Sequence, residues 1–295
     1  MAGSSGLQRG IYVFHRSADS SGNVYYSYFD GQTWSSDTVV PNMQTDVGVS
    51  VVCFNGRLYT FHRGLTNSSL YCNTFDGTNW AGDSAVPNTD ASFTPSAVVY
   101  NGSIYVFHHG NDNDGQLWYN VTNGDGSWSG DVRVPNTSLW HGPSAVVLNS
   151  QLMCFHQGYD DGGGDNSLWV NTLGADGNWT GDQQVPNVGM TDSPNAIVSG
   201  GNVLVFHQGN NQDEQLWYNT FVPGSGWQGD QQISNVGMVN SPGVCLFNNR
   251  MFCFHQGTSD QELWCTVRVG RAWSSDVQLT DAQLWYSPGV VAIQS

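Results

Sequence analysis

The chain has 295 residues, of which 11 % are charged, and its eight arginines, absence of lysine and 24 acidic residues leave a formal charge of −16. Ordinary soluble domains carry about 25 % charged residues, so this surface is hydrated mainly by neutral Gly, Asn, Ser, Thr and Gln. Nucleic acids and anionic membranes are bound through clustered cations; the chain has none to cluster, so neither is expected as a partner.

Residues 1–9 read as an N-terminal tail. They lack the charged start and apolar stretch of a signal peptide, and no run of 18 apolar residues occurs anywhere to insert in a membrane. Cytoplasmic storage or non-classical secretion is the resulting expectation for localisation.

From residue 10 to 295 the chain reads as one repeating domain. Phe-His recurs with the histidine at 15, 62, 108, 156, 207 and 255, at intervals of 47, 46, 48, 51 and 48 residues. A Trp after a Gly-rich turn keeps step (Trp34, Trp80, Trp128, Trp179, Trp227, Trp273), and an Asp follows each by three residues (Asp37, Asp83, Asp131, Asp182, Asp230, Asp276). Three markers in register six times define six units.

Within a unit the order is constant. In the one starting at Ser193, strand A holds Ala196-Ile197-Val198, strand B runs to His207, strand C runs from Leu216 to Phe221, and strand D surrounds Trp227 and Gln231-Gln232-Ile233. All four are short, rich in β-branched and aromatic residues, and separated by Gly, Asn, Pro and Asp. Runs apolar on both faces, such as Val51-Val52-Cys53-Phe54, suit sheets packed between two neighbours.

The first unit enters on strand B (Ile11 to His15) without a strand A, and the chain leaves on a strand A (Ser287 to Ile293) without a strand B. The expected fold is therefore all-β: a six-bladed β-propeller with four antiparallel strands per blade, closed by the C-terminal strand joining the N-terminal blade. Such closure removes open sheet edges. The six cysteines (Cys53, Cys72, Cys154, Cys245, Cys253, Cys265) replace strand hydrophobes and read as free thiols.

Strand parity puts the B-to-C and D-to-A loops on one rim, and these are the long polar ones. Where strand B meets that rim stand His15, His62, His108, His156, His207 and His255. Across the loop, strand C opens with Tyr25, Tyr71, Trp118, Trp169, Trp217 and Trp264. An imidazole, a neighbouring amide such as Gln157, Gln208 or Gln256, and an indole suit a neutral sugar: the ring face takes its C–H surface and the polar groups read its hydroxyls. Trp140 and Trp285, in D-to-A loops, have no counterpart in the other units. Two roles stay open for the imidazoles and the strand-C aromatics, ligand contact and packing between units. The six Trp near strand D and their Asp partners read as structural, the Asp capping the turn and the indole sealing the outer edge.

The sequence order Pro-x-Ala-Val-Val, Tyr-Val-Phe, Leu-Trp-Tyr, Asp-Gly-x-x-Trp resembles that of tectonin-like propeller lectins, most closely the bacterial and fungal group that includes the Photorhabdus fucose-binding lectins. The resemblance spans residues 11–293. It implies a multivalent carbohydrate-binding protein, with glycans of fucose or N-acetylglucosamine type as first candidates; this chain differs in carrying Asp after Trp-x-Gly, where those lectins often have a second Trp.

Other functions find less support. Glycosidases need two carboxylates about 5–9.5 Å apart, and the only glutamates, Glu214 and Glu262, occupy equivalent loops of different units. No Gly-x-Ser-x-Gly, phosphate loop or His-Glu-x-x-His occurs, so no enzyme and no cofactor is expected. Asn111-Asp112-Asn113-Asp114-Gly115 and Asp160-Asp161 with Asp165 lack full calcium-loop spacing, and no metal is expected. A scaffold for a protein partner is the alternative from another class, and the sequence leaves oligomerisation open.

Overall fold

The computed structural model describes residues 6–160 and 162–294, excepting the side chains of Thr280 and Asp281. The tail reading for residues 1–5 and the Asp161 part of the acidic loop lie outside the described residues. From Leu7 the N-terminal segment is docked: Leu7 packs on a core cluster, and Arg9 hydrogen-bonds the Gln294 carbonyl through Nε at 2.9 Å.

Apart from two short 3₁₀ turns, Asn111–Asn113 and Asn210–Gln212, the regular structure is antiparallel β. Pairing separates it into six four-stranded units. The second, for example, pairs Ser50–Phe54, Arg57–Arg63, Ser69–Phe75 and Ser84–Asp90 in chain order. The first takes its inner strand from the far end of the chain, with Gly10 opposite Ile293 and Val13 opposite Val290.

Two 17-residue strands, Gln183–Ser199 and Val277–Ile293, each serve as the outer strand of one unit and the inner strand of the next. The sequence marks residues 187–192 as a loop, yet here the chain stays extended. Its turn-like residues form a bulge instead. In Val-Pro-Asn the Asn adopts a left-handed φ (57° at Asn42, 54° at Asn88, 58° at Asn187), tolerable because its short amide bonds locally. The ladder shifts register there. Proline, with no N–H to donate, belongs at such a bulge on an outer strand.

Six apolar clusters hold the units together, each lying between two successive units. One joins Ile11 and Val13 of the first unit to Phe247, Phe252 and Phe254 of the sixth. Each inner strand also contacts the next in a cycle that returns from Val277–Ile293 to Ser50–Phe54, around a polar cavity of about 140 Å³. Between the second and fifth units, the Oγ atoms of Ser50, Ser96 and Ser144 accept the backbone N–H of Ala97, Ala145 and Ala196, each at 2.9 Å. On either side of the first unit's inner strand the contact tightens. A Cβ on Gly243 would stand 2.4 Å from the Pro288 carbonyl oxygen, and one on Gly289 would stand 2.2 Å from that of Val49.

The repeated Trp is the wedge of each junction. Trp34, Trp80, Trp128, Trp179, Trp227 and Trp273 meet the Phe of Phe-His in the preceding unit edge-on, with centroids 5.7–6.2 Å apart and planes at 83–88°. They stand in the turn after strand C, and the outer strand begins only beyond them, at Gln231 after Trp227. All six cysteines are free thiols, and burial pushes the Cys72 thiol up to about 12.

Candidate functional site

Each histidine lies directly opposite the aromatic of strand C in register: His15 and Tyr25, His62 and Tyr71, His108 and Trp118, His156 and Trp169, His207 and Trp217, His255 and Trp264. Cross-strand partners share a sheet face, so the sequence placed these pairs together correctly. Their environments differ sharply.

The six imidazoles are 0–1 % exposed. Each Nε2 lies 2.9–3.3 Å from a carboxylate oxygen of the Asp that follows the repeated Trp in the same unit. In five, Nδ1 lies 3.0–3.4 Å from the carbonyl of the next residue. For the five histidines from His62 on, these contacts favour packing within the unit, the second of the two roles left open, whereas His15 has no partner for Nδ1 and lines the cleft between the sixth and first units. The reading of the repeated Asp is corrected, since it binds the histidine rather than capping a turn. Gln157, Gln208 and Gln256 are likewise buried, at 1 %, 4 % and 5 % exposed. Gln157 and Gln208 face the carbonyls of Met190 and Met238, and Gln256 accepts from Asn240.

The aromatics of strand C are half-buried and fixed in place. Trp118, Trp169 and Trp217 donate Nε1–H to Asp114, Asp165 and Asp213 at 3.0, 2.7 and 2.9 Å, and Trp264 donates to Asp260 at 3.2 Å. In the second unit the Asn67 amide donates to the Tyr71 hydroxyl at 3.2 Å. In units two to six the glycine two residues after the histidine makes room for this clamp. A Cβ on Gly110, Gly158, Gly209 or Gly257 would come within 2.1–2.3 Å of the clamping Asp, and one on Gly64 within 2.2 Å of Asn67. Sequence reading missed these clamps, although an Asp or Asn four residues before the aromatic is a constant of units two to six. Ser17 and Ser21 stand in the first unit instead.

Strand D adds a residue in register with each aromatic: Gln184, Gln232 and Gln278 opposite Trp169, Trp217 and Trp264, against Val39, Ala85 and Arg133 in the other three. The three amides are exposed, and Gln232 donates to Gln215 at 3.0 Å.

Clefts form where this face meets the preceding unit. One of about 830 Å³ lies between the fifth and sixth units, lined by Gln232, Asn235, Thr258, Asp260 and Trp264 among others. Another of about 620 Å³ lies between the sixth and first, lined by Tyr25, Asp19, Glu262, Gln278 and Gln283. Loop parity holds. In five units the B-to-C loop accepts a backbone hydrogen bond from the start of the D-to-A segment, as Glu214 does from Met238 at 2.9 Å.

Trp140 and Trp285 line neither cleft. Trp140 stacks on Tyr159, centroids 5.6 Å apart at 26°. Trp285 and Tyr286 are 44 % and 39 % exposed beside Arg16.

The fold is similar to that of fungal β-propeller lectins. A variant of AofleA from Arthrobotrys oligospora superposes with a TM-score of 0.72 at 13 % identity, covering 99 % of this chain and 92 % of that one. Aleuria aurantia lectin in complex with Fucα1-6GlcNAc gives 0.66 at 15 %, covering 93 % and 97 %; another structure of that lectin is described as a six-bladed β-propeller with a novel fucose recognition mode. An α-L-arabinofuranosidase from Clostridium thermocellum gives 0.57 at 14 %, covering 79 % and 94 %. At these identities the likeness is one of fold. No protein-family model and no curated protein matches the sequence.

Proposed function

We propose that the chain is a closed six-bladed β-propeller acting as a multivalent lectin, with glycans bound in the clefts between blades. The observation that carries this reading is the Gly–Asp–aromatic clamp. It holds a half-exposed indole at a cleft with its N–H already engaged, leaving the ring face for the C–H surface of a sugar. The exposed amides of Gln184, Gln232 and Gln278 stand beside three of those indoles to read hydroxyls. Repetition on a rigid ring gives avidity for clustered glycans from individually weak sites. The cycle of inner-strand contacts and the terminal strand pairing support the closed ring and its six blades.

Fucose is the first candidate, because Aleuria aurantia lectin, similar in fold, is seen with a fucosylated sugar. Blades four to six, which combine Trp, Asp and Gln, are the strongest sites. The glycosidase reading follows from the arabinofuranosidase likeness. Against it, the cleft between blades five and six has its carboxylates engaged, Asp260 by the Trp264 indole and Asp276 by His255. A glycan array tests the lectin reading, which expects neutral-sugar hits; no hit would contradict it. A chromogenic-glycoside panel is expected to show no turnover.

A further inference from the structure

The residue after each repeated histidine turns away from the clefts and lies under the junction where one unit's outer strand leads into the next inner strand. In the second unit it is Arg63, whose guanidinium pairs with Asp46. Asp46 stands four residues before Ser50, the inner-strand partner of Phe61. In the first unit it is Arg16. There the equivalent place, four residues before the Gly289 that pairs with Phe14, holds Trp285, directly opposite Arg16. Two units thus share the arginine, and one of them carries an indole where the other has the carboxylate.

Arg16 is only 8 % exposed. Its Nε donates to the Thr45 carbonyl at 2.9 Å and its Nη1 to the Ser17 carbonyl at 3.0 Å. Among the described residues it forms no ion pair, and the nearby Asp19 carboxylate is engaged by Ser17 and Ser21. Its guanidinium carbon lies 5.6 Å from the Trp285 ring centroid and 5.8 Å from that of Tyr286. Both rings are among the most exposed large hydrophobic side chains described. Tyr286 also holds φ at 73°, a conformation costly for a bulky residue and found chiefly where the surroundings enforce it.

We propose that Arg16, Trp285 and Tyr286 form a site of a second kind, which takes a carboxylate-bearing sugar of the uronic-acid type. The ligand carboxylate pairs with Arg16 as Asp46 pairs with Arg63, a charge-assisted contact, while its ring rests on an exposed aromatic face. The chain's charge of −16 opposes anions at long range, so affinity arises from these contacts and not from steering. This site goes beyond the neutral-sugar clefts and stands or falls independently of them.

The test is calorimetric titration of the full chain with methyl β-D-glucuronide, methyl β-D-glucoside and acetate. The glucuronide is expected to bind about tenfold more tightly than either of the others, the scale of one charged hydrogen-bonded contact. Two variants sharpen the test. Arg16→Gln installs the residue found here in units four to six, and Trp285→Asp rebuilds the ion pair of the second unit. Both are expected to keep the parent melting temperature or raise it, and to lose the preference for the glucuronide. The proposal is overturned if glucuronide and glucoside bind alike, if acetate matches the glucuronide, or if either folded variant keeps the preference. Glucuronide binding without any neutral-sugar hit would contradict the cleft reading alone, and the converse would contradict this site alone.

Discussion

Trp34 in the first unit stands edge-on to Phe254 in the sixth, with ring centroids 5.7 Å apart and planes at 83°. This is the geometry of the five other junctions, so the seam between the chain ends is built like any internal one. Replacing Trp34 by Ala leaves a gap beside Phe254. A fully buried Trp→Ala change costs about 3–5 kcal/mol, and for this half-buried ring about 2 kcal/mol is expected. Denaturant unfolding measures it; a change no larger than that of an exposed surface substitution would show that the seam is not under load.

Removing residues 287–295 takes away the stretch of inner strand that pairs with Gly10–Phe14. The remaining edge is apolar and unpaired, a template for association. Aggregation or a large fall in melting temperature is expected by light scattering and calorimetry, and a truncated monomer that melts like the parent would mean that the ends are not joined.

The imidazole–carboxylate pairs are structural in this account. Asp230→Ala leaves the buried His207 Nε2 without its partner, at a cost of about 1–3 kcal/mol. Asp230→Asn keeps an acceptor oxygen and is expected to lose less. Equal losses from the two substitutions would argue that the hydrogen bond is not what holds the ring.

His109 supplies a pH dependence. Burial pushes its imidazole down to about 4 from the usual 6.5, and its Nε2 accepts the Gly115 N–H at 3.0 Å. The unfolded chain therefore takes up a proton that the folded chain refuses as pH falls below 6.5. Stability from this group is whole above pH 6.5 and lost on the way to pH 4, by up to about 3 kcal/mol. His109→Gln, the residue of units four to six, is expected to flatten that part of the stability–pH curve. Parallel curves for variant and parent would remove His109 as the cause.

Much of this was legible in the sequence, because a repeat reports fold through spacing alone. Phe-His and Trp-x-x-Asp in step gave the units, and the unpaired strands at the two ends anticipated Gly10 opposite Ile293. The fate of His207 was not legible. Its burial depends on Asp230 folding back across the C-to-D turn, a contact that neither alternation nor propensity encodes. The extended path through residues 187–192 was hidden because Pro and Asn mark a bulge as readily as a loop. The clamp of Asp213 on Trp217 did leave a signal, a constant spacing of four residues, which turn chemistry had explained equally well.

The clefts themselves are tested most directly by titrating parent and Trp264→Ala protein with a neutral-sugar hit from the array, because Trp264 lines the cleft between the fifth and sixth units. Stacking on an indole contributes about 1 kcal/mol beyond the hydroxyl contacts, enough to decide whether a weak site fills. The account predicts that the variant melts within a few degrees of the parent and that its stoichiometry falls by about one site per chain. A folded variant that binds with undiminished stoichiometry would place the sugar elsewhere and contradict the account.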